Sequence, residues 1–214
     1  MKKVIITLIM IGLLAVAVIW WRNNTNDKQN DQAKYDNSDN YQATRSGTKI
    51  ENDVNQNDIP VKKTEKEISN FSTKIYNKDE DRQNNITITC NTLSGKEIQP
   101  GETFSFCSTV GKATHEKGYE EADIYVDGKK EQGLGGGNCQ VSTTLYNAVL
   151  QVQGLEVVEK HEHSGKVPYV ENGKDAAVSY GAYDFKFKNN TDGVIKIIME
   201  NTPDNITAKL IEIK

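Results

Sequence analysis

The sequence predicts an α+β fold: a mixed domain in which a glycine-loop-to-helix segment carrying a cysteine packs on a mainly antiparallel sheet. A transmembrane helix and a disordered tether are expected before it. Three observations predict this. An apolar run opens the 214-residue chain, a long polar stretch follows, and then one segment of helical periodicity stands among many short alternating ones.

The opening run, Val4 to Trp21, follows Lys2 and Lys3 and is closed by Arg22. Its length suits a bilayer span, tryptophans suit the interface, and lysines hold the N-terminus inside. Residues 1–22 are therefore expected as a single-pass membrane anchor, with the C-terminal domain outside the cytoplasm. Ala15-Val16-Ala17 has the pattern of a signal-peptide cleavage site, and cleavage there would make the domain secreted. Residues 23–59 hold hardly any aliphatic side chain, too few to offset the entropy of ordering, and read as a disordered linker. Residues 60–214 form the extracytoplasmic domain.

Within that domain, "ISNFSTKIYN" alternates like a strand. "NNITITCNTLSG" fits a helix through Ile86, Cys90 and Leu93 or a strand through Ile86, Ile88 and Cys90. "PGETFSF" reads as a turn and a short extended piece, and "ADIYVDGKKEQG" as a hairpin about Asp127-Gly128. In "GLGGGNCQVSTTLYNAVL", Val141, Leu145, Ala148, Val149 and Val152 recur at helical spacing, with Asn138 as N-cap, Cys139 as first helical residue and Gly154 as the stop. "LEVVEKHEH", "DAAVSY", "DFKFKN", "VIKIIME" and "ITAKLIEI" then read as successive strands.

The formal charge of −4, without any Lys/Arg cluster interleaved with aromatics, gives no reason to expect nucleic acid as a partner. Cysteines number three, so at least one stays unpaired within the chain. If two pair, Cys90 with Cys107 is the expected disulfide, leaving Cys139 free.

A cysteine where a glycine run becomes a helix has a chemical use. The helix N-terminus favours an anion, and the thiolate is the reacting form. Flexible glycines let the backbone approach a substrate, so N–H groups around Gly136, Gly137 and Gln140 are expected oxyanion or substrate contacts. A buried structural cysteine is the competing reading. The helix end alone contributes about 0.3–1 kcal/mol, and up to about 2 kcal/mol when partly buried, so a base is required. His161 and His163, in "KHEHS", are the candidates; alternation puts both on the face that carries Leu155 and Val157. His115 reads as a loop residue. Asp175, Tyr180 and Asp184 follow in the chain as residues able to orient the imidazole or contact substrate, and Ser142 as a further contact. Cys139, His161 and His163 could instead supply three zinc ligands, but no CxxC or HExxH spacing supports a metal site, and none is expected.

The segments "PGETFSF", "KGYEEA", "GLGGGNCQVSTTLYNAVL", "GLEVVEKHEHS", "VPYV", "GKDAAVSYG" and "DFKFKNNT", in that order over about residues 68–200, resemble the VanW family, named for an accessory protein of vancomycin-resistance clusters. Cys107 departs from the pattern, where the family is expected to carry Asn after "FSF". The resemblance implies an L,D-transpeptidase acting on peptidoglycan stem peptides, with Cys139 as nucleophile forming a thioester and 3–3 cross-links as product. It implies no cofactor and no metal. Two rival functions are a non-catalytic peptidoglycan-binding accessory module, and a cysteine peptidase or amidase on the same stem peptides. No protein partner can be inferred.

Overall fold

The computed structural model describes residues 63–126 and 129–214. The expected anchor and linker and the Asp127-Gly128 turn lie outside the described residues. Strand predominates. In chain order the elements are β1 (Glu65–Lys74), α1 (Glu80–Leu93), β2 (Glu97–Ile98), β3 (Thr103–Ser105), α2 (Phe106–Val110), a 3₁₀ turn (His115–Lys117), β4 (Glu121–Val126), β5 (Lys129–Leu134), α3 (Asn138–Val149), β6 (Leu155–Glu159), β7 (Lys186–Asn189), β8 (Val194–Asn201) and β9 (Asn205–Ile213).

The ambiguous "NNITITC" stretch is helical. Asp79 caps α1 by accepting the Arg82 amide at 3.0 Å, and Ile86, Cys90 and Leu93, at i, i+4 and i+7, are wholly buried while Ile88 is not. Full burial of such a side chain contributes about 1.5–3 kcal/mol, so the helical stripe decides the matter.

Every strand pair is antiparallel, in three separate sheets: β1-β9-β8-β2, β3-β7-β6 and the β4-β5 hairpin. In β8 and β9 alternate residues Ile195, Ile197, Met199, Ile206, Ala208 and Leu210 are buried. The helices α1 and α3 pack on that four-stranded sheet, bringing Ile86, Leu93, Val141, Leu145 and Val149 into the same core. On the second sheet, Phe187 of β7 stacks tilted on Phe104 of β3 at 5.0 Å, and Phe185 meets the edge of Tyr146 at 5.6 Å, which ties α3 to this sheet too.

The expected α+β arrangement on one antiparallel sheet is therefore corrected to a mostly β architecture with few helices. Two physical reasons account for the difference. The first strand pairs with the last, a non-local partnership that local patterning does not reveal, and the middle strands find partners of their own instead of joining that sheet. No helix among the described residues is long and apolar enough to cross a membrane. Two strand expectations also fail locally. β6 ends at Glu159 after a register shift that follows Val157, so His161 makes only an isolated bridge with Ala177, and "DAAVSY" forms only that bridge and one from Ser179 to Tyr183.

Candidate active site

The glycine run is shaped by close packing. A Cβ on Gly136 would lie 2.7 Å from the Asp123 carbonyl oxygen, and one on Gly137 would lie 2.8 Å from Ile86 Cγ1. Gly137, at φ +112°, is the N-cap of α3, so the helix begins at Asn138 and Cys139 is its second residue. Asn138 is not the cap. Its side-chain oxygen instead accepts the Thr89 hydroxyl at 2.6 Å, tying α3 to α1.

From Gln140 to Val149 the helix is buried on every side, polar residues included. Those residues have partners, and among the described residues no buried side-chain N or O is left without one. Their partners explain the site. Asn147 Nδ2 donates to the Lys174 carbonyl at 2.7 Å, Ser142 Oγ to the Ala176 carbonyl at 2.5 Å, and the Ala176 amide to Thr143 Oγ1 at 3.0 Å. The Val178 amide donates to Cys139 Sγ at 3.5 Å, and the thiol can return a bond to the Val178 carbonyl at 3.4 Å. Alternate residues 174, 176 and 178 are thus fastened along successive turns of α3, with Asp175 held between them.

Asp175 receives His163. Its Oδ2 accepts the His163 backbone amide at 2.8 Å and Nδ1–H at 2.7 Å, and both side chains are nearly buried. His163 and Cys139 line the same cleft, near enough for the sulfur to influence the imidazole. With Nδ1 engaged by Asp175, Nε2 is the nitrogen left for the sulfur. Burial alone would lower the His163 pKa, but the neighbouring Cys139 and then Asp175 outweigh it and raise the value to about 9. Burial likewise opposes ionisation of Asp175, and the bonds from His163 hold its carboxyl below the ordinary range.

Cys139 and His163 line a cleft of about 760 Å³, with Asp175 bonded to the imidazole. That volume falls within the range of sites that hold small ligands or peptide ends. The glycine run, Arg82, Tyr169 and the β4-β5 hairpin residues Asp123, Tyr125 and Lys130 also line it. Tyr76, Tyr125 and Tyr180 stand at its walls as three of the most exposed large side chains.

Other sequence-predicted residues go elsewhere. His161 turns to Glu159 Oε1 at 3.0 Å and lies tilted against the Tyr183 ring at 4.7 Å, outside the cleft. Among the described residues no three metal-ligating side chains converge, so the Cys139, His161 and His163 set is not assembled. Gln140 is buried at the cleft wall with its polar groups engaged: its amide donates to Thr73 Oγ1 and the Lys74 carbonyl, its oxygen accepts Arg82 Nη2 at 2.7 Å, and its backbone N–H is taken by the Gly137 carbonyl. Ser142 is likewise buried in fastening the 174–178 segment. Asp184 accepts the Ser105 hydroxyl at 2.6 Å and the Cys107 amide at 2.8 Å, which anchors the start of α2 rather than contacting the cleft. Tyr180 does line the cleft, at 60 % exposure.

The expected Cys90–Cys107 disulfide is absent and all three cysteines are free. Cys90 is sealed in the core on α1, and burial pushes its thiol up to about 12. Cys107, on the cleft wall, donates to the Tyr183 carbonyl at 3.3 Å; burial first, then the Asp184 carboxylate, push it up to about 12.

Two cleft residues escaped the sequence reading. Arg82 sits in a polar first turn that resembles a solvated helix face, yet it is 8 % exposed. Tyr169, whose phenol is held protonated by burial, lies in "VPYV", a segment with no periodicity to place it.

Comparison with known proteins follows the same residues. The family model described as VanW like protein matches residues 81–211. An uncharacterized protein of Bacillus subtilis (strain 168), YoaR, is 40% identical over 131 residues, 61% of this chain and 43% of that protein. The Vancomycin B-type resistance protein VanW of Enterococcus faecalis (strain ATCC 700802 / V583) is 34% identical over 118 residues, 53% of this chain and 42% of that protein. The chain thus aligns with less than half the length of either relative. No solved structure matches.

Proposed function

The chain belongs to the VanW family, and on that premise we propose that it is a cell-wall enzyme, a cysteine-dependent L,D-transpeptidase acting on peptidoglycan stem peptides. One observation carries the reading: an Asp175-bonded His163 and Cys139 lining the same open cleft. That order of carboxylate, imidazole and nucleophile is what acyl transfer requires, whatever the surrounding fold.

The steps follow from the groups present. His163 serves as the acid–base partner of the sulfur, and Asp175 fixes the orientation of its ring. Cys139 Sγ attacks the carbonyl of the third, L-centred residue of a donor tetrapeptide. The backbone N–H groups of Gly137 and Cys139, which donate to no other described residue, are the nearest donors for the resulting oxyanion. The C–N bond to terminal D-Ala breaks, and its nitrogen leaves with the His163 proton. An amine of a neighbouring stem then gives a proton to His163 and attacks the thioester, which releases the thiol and leaves a 3–3 amide cross-link. The wall substrate would meet the exposed tyrosine rings at the mouth, which offer flat apolar faces with polar tips.

Incubation of the purified chain with disaccharide-tetrapeptide, followed by intact-protein and product mass spectrometry, tests this. A thioester adduct on Cys139 and a cross-linked dimer are expected, and both vanish in Cys139→Ala. Loss of D-Ala without a dimer would assign hydrolysis, the peptidase reading. No adduct and no product would leave a wall-binding module.

A further inference from the structure

We infer that Arg82 anchors the free terminal carboxylate of the acyl-donor peptide, so that the cleft selects donors by their chain end. The inference rests on the transpeptidase reading for the identity of the donor, but its evidence is separate. Arg82 stands in the first turn of α1, more than nine-tenths buried, with its guanidinium on the wall of the Cys139 cleft.

Its partners are all neutral. Nη2 donates to Gln140 Oε1 at 2.7 Å and Nη1, at 3.5 Å, to the Asn77 carbonyl. Among the described residues no carboxylate lies within ion-pairing distance of it. The two nearby acids are occupied: Asp123 takes Lys130 at 2.6 Å, Gln132 at 2.7 Å and Asn77 at 3.0 Å, and Asp79 caps the helix through the Arg82 amide.

A charge this far out of water is costly unless an anion compensates it. Here the fold positions the cation and pairs it with no carboxylate. Gln140, itself clamped by Thr73 and Lys74, fixes one edge of the planar guanidinium and leaves further N–H donors for the cleft. A carboxylate matches that fork bidentately, and a peptide amide or ester does not. In a donor tetrapeptide the carboxylate belongs to the D-Ala that departs, one residue beyond the carbonyl attacked by Cys139. Arg82 is thereby a specificity residue: it admits peptides that end one residue after the reacting bond and disfavours those that continue or are amidated.

The test separates this from the catalytic reading by using binding. The full chain carrying Cys139→Ala is titrated calorimetrically with a stem tetrapeptide ending in D-Ala, and with the same peptide as its C-terminal amide. The free acid should bind about tenfold to hundredfold more tightly, the scale of hydrogen bonds to a charged group. Adding Arg82→Gln should erase the difference, and Arg82→Lys, charged but without the fork, should keep part of it. Should Arg82→Gln misfold through its Gln140 bond, the acid-to-amide comparison on the Arg82 protein still decides. Equal affinities, or no binding of either peptide, overturn the anchor. If the acid preference is present and depends on Arg82 while the Cys139 protein forms no thioester, the transpeptidase reading falls and the anchor stands. Equal rates of thioester formation from acid and amide sink the anchor and leave the chemistry intact.

Discussion

His163 and His161 are two residues apart and have different surroundings, which makes them a controlled pair. His163 shares the cleft with the sulfur and is bonded to Asp175; His161 is held by Glu159 outside the cleft. Alkylation of Cys139 by iodoacetamide at neutral pH should slow on the order of tenfold in His163→Ala, because an unassisted thiol is only a few per cent thiolate there. His161→Ala should leave the rate unchanged, and an equal effect of the two substitutions would remove His163 from its assigned role. The same imidazole should mark stability. Its folded pKa of about 9 lies above the ordinary 6.5, so its stabilising contribution is complete below about pH 6.5 and disappears as pH rises through 9. Thermal melts across that range should show Tm falling in the wild type and a flatter profile in His163→Asn. At this scale the sequence was informative because reactive residue types are scarce: three cysteines and three histidines leave few pairings, and Asp175 was among the few acids nearby. The choice between the histidines was not legible. It depends on β6 ending at Glu159, where the register shift breaks the alternation that would have put both on one face. Arg82 was hidden for the opposite reason, since an arginine among Asp, Glu, Gln and Asn reads as surface.

The opening of α3 shows how one element serves both packing and chemistry. Its apolar stripe was visible from periodicity, but the polar residues between the apolar ones were not placed by it. The partners of Ser142, Thr143 and Asn147, residues 174 to 176, lie some thirty residues downstream, where no local pattern points to them. The glycines were legible as special positions, but not their packing role: they let α3 sit against α1 and β4. Gly137→Ala should therefore cost about 2–5 kcal/mol, combining the left-handed backbone penalty with overpacking against Ile86, and Gly136→Ala about 1–3 kcal/mol through its clash with backbone. Gly165→Ala, where a Cβ would meet nothing within 4 Å, should be close to neutral. Denaturant melts of the three variants check the ranking. If Gly136 and Gly137 tolerate alanine as Gly165 does, the close approach of these elements is not what demands glycine. Because the Cys139 backbone N–H follows directly on this turn, the two destabilised variants should also lose alkylation selectivity for Cys139 before they lose the fold.

Across the whole molecule, individual strands were legible where one face is buried, as in β1, β8 and β9, while their partnership was not. The pairing of β1 with β9 spans nearly the entire domain, and nothing in local pattern records it. This matters because the family match begins at residue 81, after β1 has ended. β1 nevertheless supports the reactive helix directly. Ser69 Oγ donates to the Ala148 carbonyl at 2.6 Å, Thr73 shares a hydrogen bond with Thr144 at 2.8 Å, and Thr73 and Lys74 hold the Gln140 amide. Ile75, just beyond the strand, is wholly buried. A chain truncated to residues 79–214 would retain every matched residue, yet leave β9 as an open edge and the Gln140 amide and Thr144 hydroxyl without these partners. It should lose its cooperative thermal melt by far-UV circular dichroism. A milder probe is Thr73→Val, which keeps the strand and removes one hydroxyl shared by Thr144 and Gln140. Stranding those buried groups should cost about 1–3 kcal/mol, or roughly 2–10 °C in Tm for a domain of this size. A truncated chain that melts cooperatively within a few degrees of the parent would show instead that β1 is an accessory strand, and that the matched segment folds and holds its cysteine in place without it.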